Sequence, residues 1–120
     1  KEQQTNLIFF HRLRFVDEEP VMLEHTYVPN IGLDDFLEQP LINDSLFTTL
    51  RQRYEIEVVN LAQDIKAISS DPQMSYVLDT PPGNPLIQIY RRYKTNHENM
   101  NIYSSLYCNT HQYFLSSESE

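Results

Sequence analysis

From Leu7 to Val16 the chain reads LIFFHRLRFV, a loosely alternating run rich in Ile and Phe, and after the punctuation DEEP the pattern resumes as VMLEHTYV before Pro29. Two such runs around a short polar turn predict an antiparallel β-hairpin. GLDDFLEQP, between Gly32 and Pro40, predicts a short helical turn. In NDSLFTTLRQRY, Leu46, Phe47, Leu50 and Tyr54 fall at helical spacing, which predicts a helix over Ser45 to Tyr54 capped by Asn43 or Asp44. EIEVVNLAQDIKAIS alternates with β-branched residues and predicts a long strand, although LAQDIKAI alone would also suit a helix. Asp71 before Pro72 starts a brief helix to about Leu78, which PPGNP ends. PLIQIYRRYKT and MNIYSSLYC, split by NHEN, predict a second hairpin, and QYFL predicts a last strand.

Hairpin, helix, strand, helix, hairpin, strand is the order of an α+β domain built on one antiparallel sheet. At 120 residues the chain has the size of one domain, and 40% hydrophobic content with six Phe and eight Tyr supplies the apolar bulk that a packed core needs. Only the closing SSESE has a disordered composition, so the expected domain is 1–115 and the expected tail 116–120. The opening KEQQTN carries no methionine, which suggests a piece of a longer protein.

Charge narrows the function. A formal net charge of -8 disfavours a binder of phosphate backbones, which needs a basic surface to displace counterions. Cys108 is the sole cysteine, so no intrachain disulfide and no cysteine-based zinc site can form, and the composition fits a reducing cytoplasm. No apolar run approaches the roughly 20 residues of a bilayer span, so no membrane partner is expected.

Catalytic and metal chemistry find little support. His11, His25, His97 and His111 show no ligand spacing, Cys108 near His111 lacks a catalytic context, and with only Gly32 and Gly83 there is no glycine-rich phosphate loop. The six arginines come as near pairs. Arg51 and Arg53 fall late in a predicted helix, where they complement its dipole and are expected in solvent. Arg91 and Arg92 are adjacent, so at most one can face a given pocket. Arg12 and Arg14 share one face of a strand, and two planar forks aimed alike suit a phosphate or carboxylate. The competing expectation for them is a surface salt-bridge ladder to Asp17, Glu18 or Glu19.

RLRFVDEEPVMLEHTYVP, DSLFTTLRQRYEIEV, DTPPGNPLIQIYRRY and IYSSLYCNTHQYF, in that order and spacing, resemble the UTRA domain, the effector-binding half of GntR-type bacterial transcription repressors of the HutC subfamily. The resemblance runs from about Leu7 to Leu115. It implies a six-stranded antiparallel sheet with flanking helices, similar to chorismate lyase, and a cytoplasmic homodimer that binds a small anionic effector, often a sugar phosphate. Operator DNA would be bound only through an N-terminal winged helix-turn-helix outside this chain; no cofactor or metal is implied. Carried over residue by residue, Arg12, Arg14 and Ser45 would hold the phosphate and Glu24 the sugar hydroxyls. Phe47 stands where the family often has a tyrosine, leaving an apolar wall. Near the penultimate strand the family commonly carries a glutamate and a tyrosine-arginine pair; the chain has Ile102, Tyr103, Tyr107, Cys108 and Asn109, with Tyr103 and Tyr107 as the candidate contacts. Fewer polar partners at that end suggest an effector less hydroxylated than an amino sugar.

Two alternatives remain at this stage. One is an enzyme of the chorismate lyase fold acting on a small anion; the lack of an acid-base or nucleophile constellation beyond Glu24 favours a non-enzymatic sensor. The other is a dimerisation module whose pocket has decayed.

Overall fold

The computed structural model describes residues 6–111, 113 and 115. Its strands are β1 (Leu7–Val16), β2 (Glu19–Pro29), β3 (Val58–Ser69), β4 (Pro85–Thr95) and β5 (Asn101–Cys108), and its helices are α1 (Leu46–Tyr54) and α2 (Pro72–Leu78). Short 3-10 turns cover Phe36–Glu38 and Ile42–Asp44. The strands form one antiparallel sheet in the order β1-β2-β5-β4-β3.

The sheet has five strands among the described residues, not the expected six. Of the segment expected as the last strand, Gln112 and Phe114 lie outside the described residues, and Tyr113 and Leu115 are not in a strand. The tail expected over 116–120 also lies outside them. The long strand β3 begins at Val58 rather than Glu55, because Glu55 takes a left-handed conformation (φ 57) that closes α1. Ile56 then donates back to the Leu50 carbonyl at 3.0 Å, satisfying one of the helix's last carbonyls.

Sequence chemistry sets the remaining turns. Asp17 and Glu18 join β1 to β2 as a two-residue connection with φ of 50 and 66, the mirror-image turn that suits the twist of a hairpin. Asp71 caps α2 as expected, its carboxylate accepting from the Met74 amide at 2.7 Å.

Pleating sorts the side chains onto two faces. The cross-sheet row Arg12, Glu24, Leu106, Ile89, Ile65 marks one face, and His11, His25, Ser105, Tyr90, Asp64 marks the other. On the first face α1 drives Leu46 and Leu50 onto Ile8, Val28 and Ile102, and Leu33, Phe36, Ile56 and Met100 complete that cluster. Burying one such leucine contributes about 1.5–3 kcal/mol. On the second face Leu78 of α2 packs on Leu23 and Leu86, with Tyr107 against them. Because α1 covers only the Ile8–Val28–Ile102 end of its face, the rows beginning at Arg12 and Arg14 lie beyond the helix.

Candidate functional site

The part of the first face beyond α1 holds a cavity of about 630 Å³, within the usual range for small-ligand sites. Period-two alternation brings Arg12 and Arg14 from β1, Met22 and Glu24 from β2, Leu106 and Ser104 from β5, and Ile89 and Arg91 from β4 into it. Gln63 and Ile65 of β3 form the far wall. The start of α1 overhangs the opposite side through Ser45, Leu46 and Phe47.

Ser45, not Asn43 or Asp44, caps α1: its hydroxyl oxygen accepts from the Thr48 amide at 3.1 Å. Asn43 and Asp44 are unavailable because both sit in left-handed backbone (φ 53 and 56) in the preceding turn. Thr49 stiffens this entry by donating to the Ser45 carbonyl at 2.7 Å and accepting from the Ile42 amide at 2.7 Å. With Thr48 and Thr49 satisfied, Leu46 and Phe47 carry the orphan amides of the first turn, and both residues line the cavity. Open amides and the positive end of a helix dipole favour an anion there.

Neither arginine reaches Asp17, Glu18 or Glu19, so the expected surface ladder does not form. Arg12, 18% exposed, instead meets Asp44, 80% exposed, at 2.8 Å and donates to the Asp44 carbonyl at 3.0 Å. Arg14 lies 3.7 Å from Glu24. Glu24 also accepts from the Thr26 hydroxyl at 2.8 Å, and Thr26 lies 2.7 Å from the Ser104 hydroxyl. Thr26 has one hydroxyl proton and gives it to Glu24, so Ser104 must be the donor to Thr26. The buried Thr26–Ser104 pair thus fixes the orientation of a carboxylate at the cavity wall.

The seven candidates of the sequence divide by face. Arg12, Arg14, Glu24, Ser45 and Phe47 converge on the cavity, with Phe47 packed on Tyr93 at 4.6 Å between ring centroids. Tyr103 and Tyr107 do not line it. They alternate with Ser104 and Leu106 and lie on the second face, where Tyr107 packs against the α2 cluster. The sequence missed Arg91, whose parity with Ile89 brings it to the cavity, where it donates to Gln63 at 3.1 Å. Arg92 points the other way and pairs with Asp64 at 2.9 Å.

Two further sequence expectations meet different fates. Arg51 is exposed, but Arg53 is half-buried, and its Nη1 finds no partner among the described residues, contrary to the expected solvation. Cys108 is buried, and burial pushes its thiol up while Arg91 opposes the shift. His11 and His25, distant in sequence, meet edge to face at 4.4 Å across the β1–β2 pair. Burial, then His11, lowers the His25 imidazole below its ordinary value. Only the hairpin register, which sets residue 11 opposite residue 25, could have signalled this pair.

A smaller cleft of about 270 Å³ lies beside the end of α2, between Glu19, Leu78, Asp79 and His111, and no arginine or lysine lines it. Of the two, the larger cavity holds the basic chemistry: Arg12, Arg14 and Arg91 against Glu24 and Asp44, formally +1 in a chain of -8.

A family model described as the UTRA domain matches residues 2–113. Among curated proteins, the HTH-type transcriptional regulator GmuR of Bacillus subtilis is 25% identical over 88 residues, 73% of this chain. The chain spans only 37% of that relative's length. The fold is similar to the C-terminal domain of Yurk from Bacillus subtilis, with a TM-score of 0.78 and 19% identity, covering 98% of this chain and 81% of that one. It is also similar to the C-terminal domain of the histidine utilization repressor from Pseudomonas syringae pv. tomato, with a TM-score of 0.78 and 18% identity over 95% of this chain and 79% of that one. No helix among the described residues is long and apolar enough to cross a membrane.

Proposed function

The chain belongs to the UTRA domain family, and from that membership we propose that it is the effector-sensing and dimerising domain of a GntR-type, HutC-subfamily transcription repressor. Residues 1–115 form the domain, the protein works in the cytoplasm, and operator DNA is read by a separate winged-helix domain. The names of the relatives, regulators rather than enzymes, favour a sensor over catalysis. The effector is a small phosphorylated or carboxylated metabolite, with a sugar phosphate as the leading class.

One observation carries this reading: Arg12, Arg14 and the first turn of α1 face the same cavity. Charge-assisted hydrogen bonds contribute roughly 1.5–3 kcal/mol each. Glu24, held by Thr26, suits hydroxyl donors at the neutral part of the ligand. Tyr103 and Tyr107, on the second face, have no part in it.

The dimer seam proposed is β3. It is an edge strand of 12 residues, exposed along nearly its whole length, with Val59 and Ile65 each 60% exposed. Open edges of this kind pair with another chain unless blocked. Antiparallel self-pairing about a twofold axis at Ile65 would set Asp64 against Lys66 of a second copy, a favourable cross-strand contact.

Calorimetric titration with a panel of phosphorylated and carboxylated metabolites tests the effector reading. Arg12→Ala should weaken whichever ligand binds by about tenfold or more, the equivalent of 1.4 kcal/mol. Binding indifferent to that change, or no binding of any anion, overturns it.

A further inference from the structure

Resting on the anion-binding reading above, we propose that the cavity has a second cationic pole at Arg91 and that the effector is two-ended, with an acidic group at each end.

Four arginines project from the sheet, and three of them have carboxylate partners: Arg12 with Asp44, Arg14 with Glu24 and Arg92 with Asp64. Arg91 differs. Its partners among the described residues are neutral, the Gln63 amide oxygen at 3.1 Å and the Tyr93 hydroxyl at the long distance of 3.5 Å. It is half-buried on the cavity face, and at least one arm of its guanidinium keeps donors that no described group accepts from. A half-buried guanidinium with spare donors and no counter-charge is suited to an anionic ligand group in the cavity, which would supply both acceptors and charge.

Arg91 is also remote from the first pole. Arg12 is on β1 and Arg91 on β4, three strand steps apart in the sheet order, or about 14 Å between backbones at the usual strand spacing. Arg91 donates to Gln63 on β3, the side of β4 away from Arg12, so one inorganic ion is too small to hold both and a metabolite-length ligand is needed to span them. Between the poles the floor is Leu106 and Ile89, flanked by Glu24 and Ser104. Such a floor suits a spacer with one apolar side and hydroxyls on the side that Glu24 and Ser104 can meet, as on a sugar-acid chain. Gln63 positions Arg91 from the edge strand, and Ser104, which donates to Thr26, retains lone pairs facing the same region.

The test is calorimetric titration of the chain with glucose 6-phosphate, acidic at one end, and 6-phosphogluconate, acidic at both. Wild type should prefer 6-phosphogluconate by about tenfold, the worth of one charge-assisted contact. Arg91→Gln should erase that preference and leave glucose 6-phosphate within about twofold of wild type, whereas Arg12→Ala should weaken both probes. A preference that survives Arg91→Gln, or equal loss on both probes, overturns the second pole while leaving the first intact. If wild type binds neither probe, the anion reading of the whole cavity falls and this inference with it. Should Arg91→Gln fail to fold, Arg91→Met, which keeps a long stem and removes the charge, carries the test: a lost preference supports the second pole and an unchanged one overturns it.

Discussion

Arg12 grips Asp44 twice, at the carboxylate (2.8 Å) and at the backbone carbonyl (3.0 Å), so a residue of the chain itself holds the guanidinium that faces the start of α1. Asp44 is 80% exposed, and a pair so open to solvent is worth only about 0–1 kcal/mol. A ligand anion that also engages the first-turn amides should outcompete it.

Asp44→Asn should therefore strengthen binding of a phosphorylated ligand by up to about fivefold, the upper end of what a screened pair contributes. Titration of the variant beside wild type checks this, with Arg14→Ala and the Arg12→Ala, Arg14→Ala double variant in the same series. The two arginine losses should be less than additive if both forks grip one group. Weaker binding in Asp44→Asn would mean that Asp44 orients Arg12 rather than competing for it.

Glu18→Gly should raise stability. Glu18 occupies a left-handed position (φ 66) where its Cβ costs about 1–2 kcal/mol, and glycine adopts that backbone freely although it loses more freedom on folding. A net gain of about 1 kcal/mol, near 4 °C in thermal midpoint, is the expected result. An unchanged or lower midpoint would show that the turn is not under strain.

Stability should fall as the solution is acidified through the range where histidine titrates. The folded His25 imidazole is held below its ordinary value of 6.5, so the unfolded chain takes up the proton first. Between the two values the unfolded state binds more protons, and stability rises with pH. Below the folded value this contribution is fully lost. His25→Phe keeps an aromatic ring against Phe9 and Tyr107 and should flatten the pH dependence of urea unfolding; an identical slope in the variant would assign the effect elsewhere.

Sedimentation equilibrium at tens of micromolar should show a dimer, as expected for an interface of standard size. Lys66→Asp should weaken it by setting like charges against each other, and adding Asp64→Lys should restore it. A monomer at all concentrations, or indifference to both changes, removes β3 as the seam.

Much of the fold was legible because its signals are local. Asp71 before Pro72 marked α2, and the alternation of LIFFHRLRFV marked β1 and put Arg12 and Arg14 on one face. What the sequence hid depends on pairings between distant segments. The β4–β5 hairpin was legible, but nothing near β5 indicates that it also pairs with β2, and that pairing determines which of Arg91 and Arg92 shares a face with Arg12. Tyr103 and Tyr107 were assigned by resemblance where the alignment could slip by one residue, and in a strand one residue moves a side chain to the opposite face. The α1 cap was misjudged because Asn43 and Asp44 both suit capping in isolation. Only their left-handed backbone hands the role to Ser45.

Strand β3 belongs to two boundaries at once. Its Gln63 and Ile65 side chains close one side of the cavity, while among the described residues its outer backbone edge has no strand beside it. If a second copy docks along that edge, occupancy and association become linked functions. Whatever free energy the effector gains by steadying β3 is returned as tighter pairing, and pairing must sharpen effector affinity by the same factor. Saturation curves would then shift with the concentration of the protein itself, so that in a cell the amount of regulator would help set the metabolite level at which it responds.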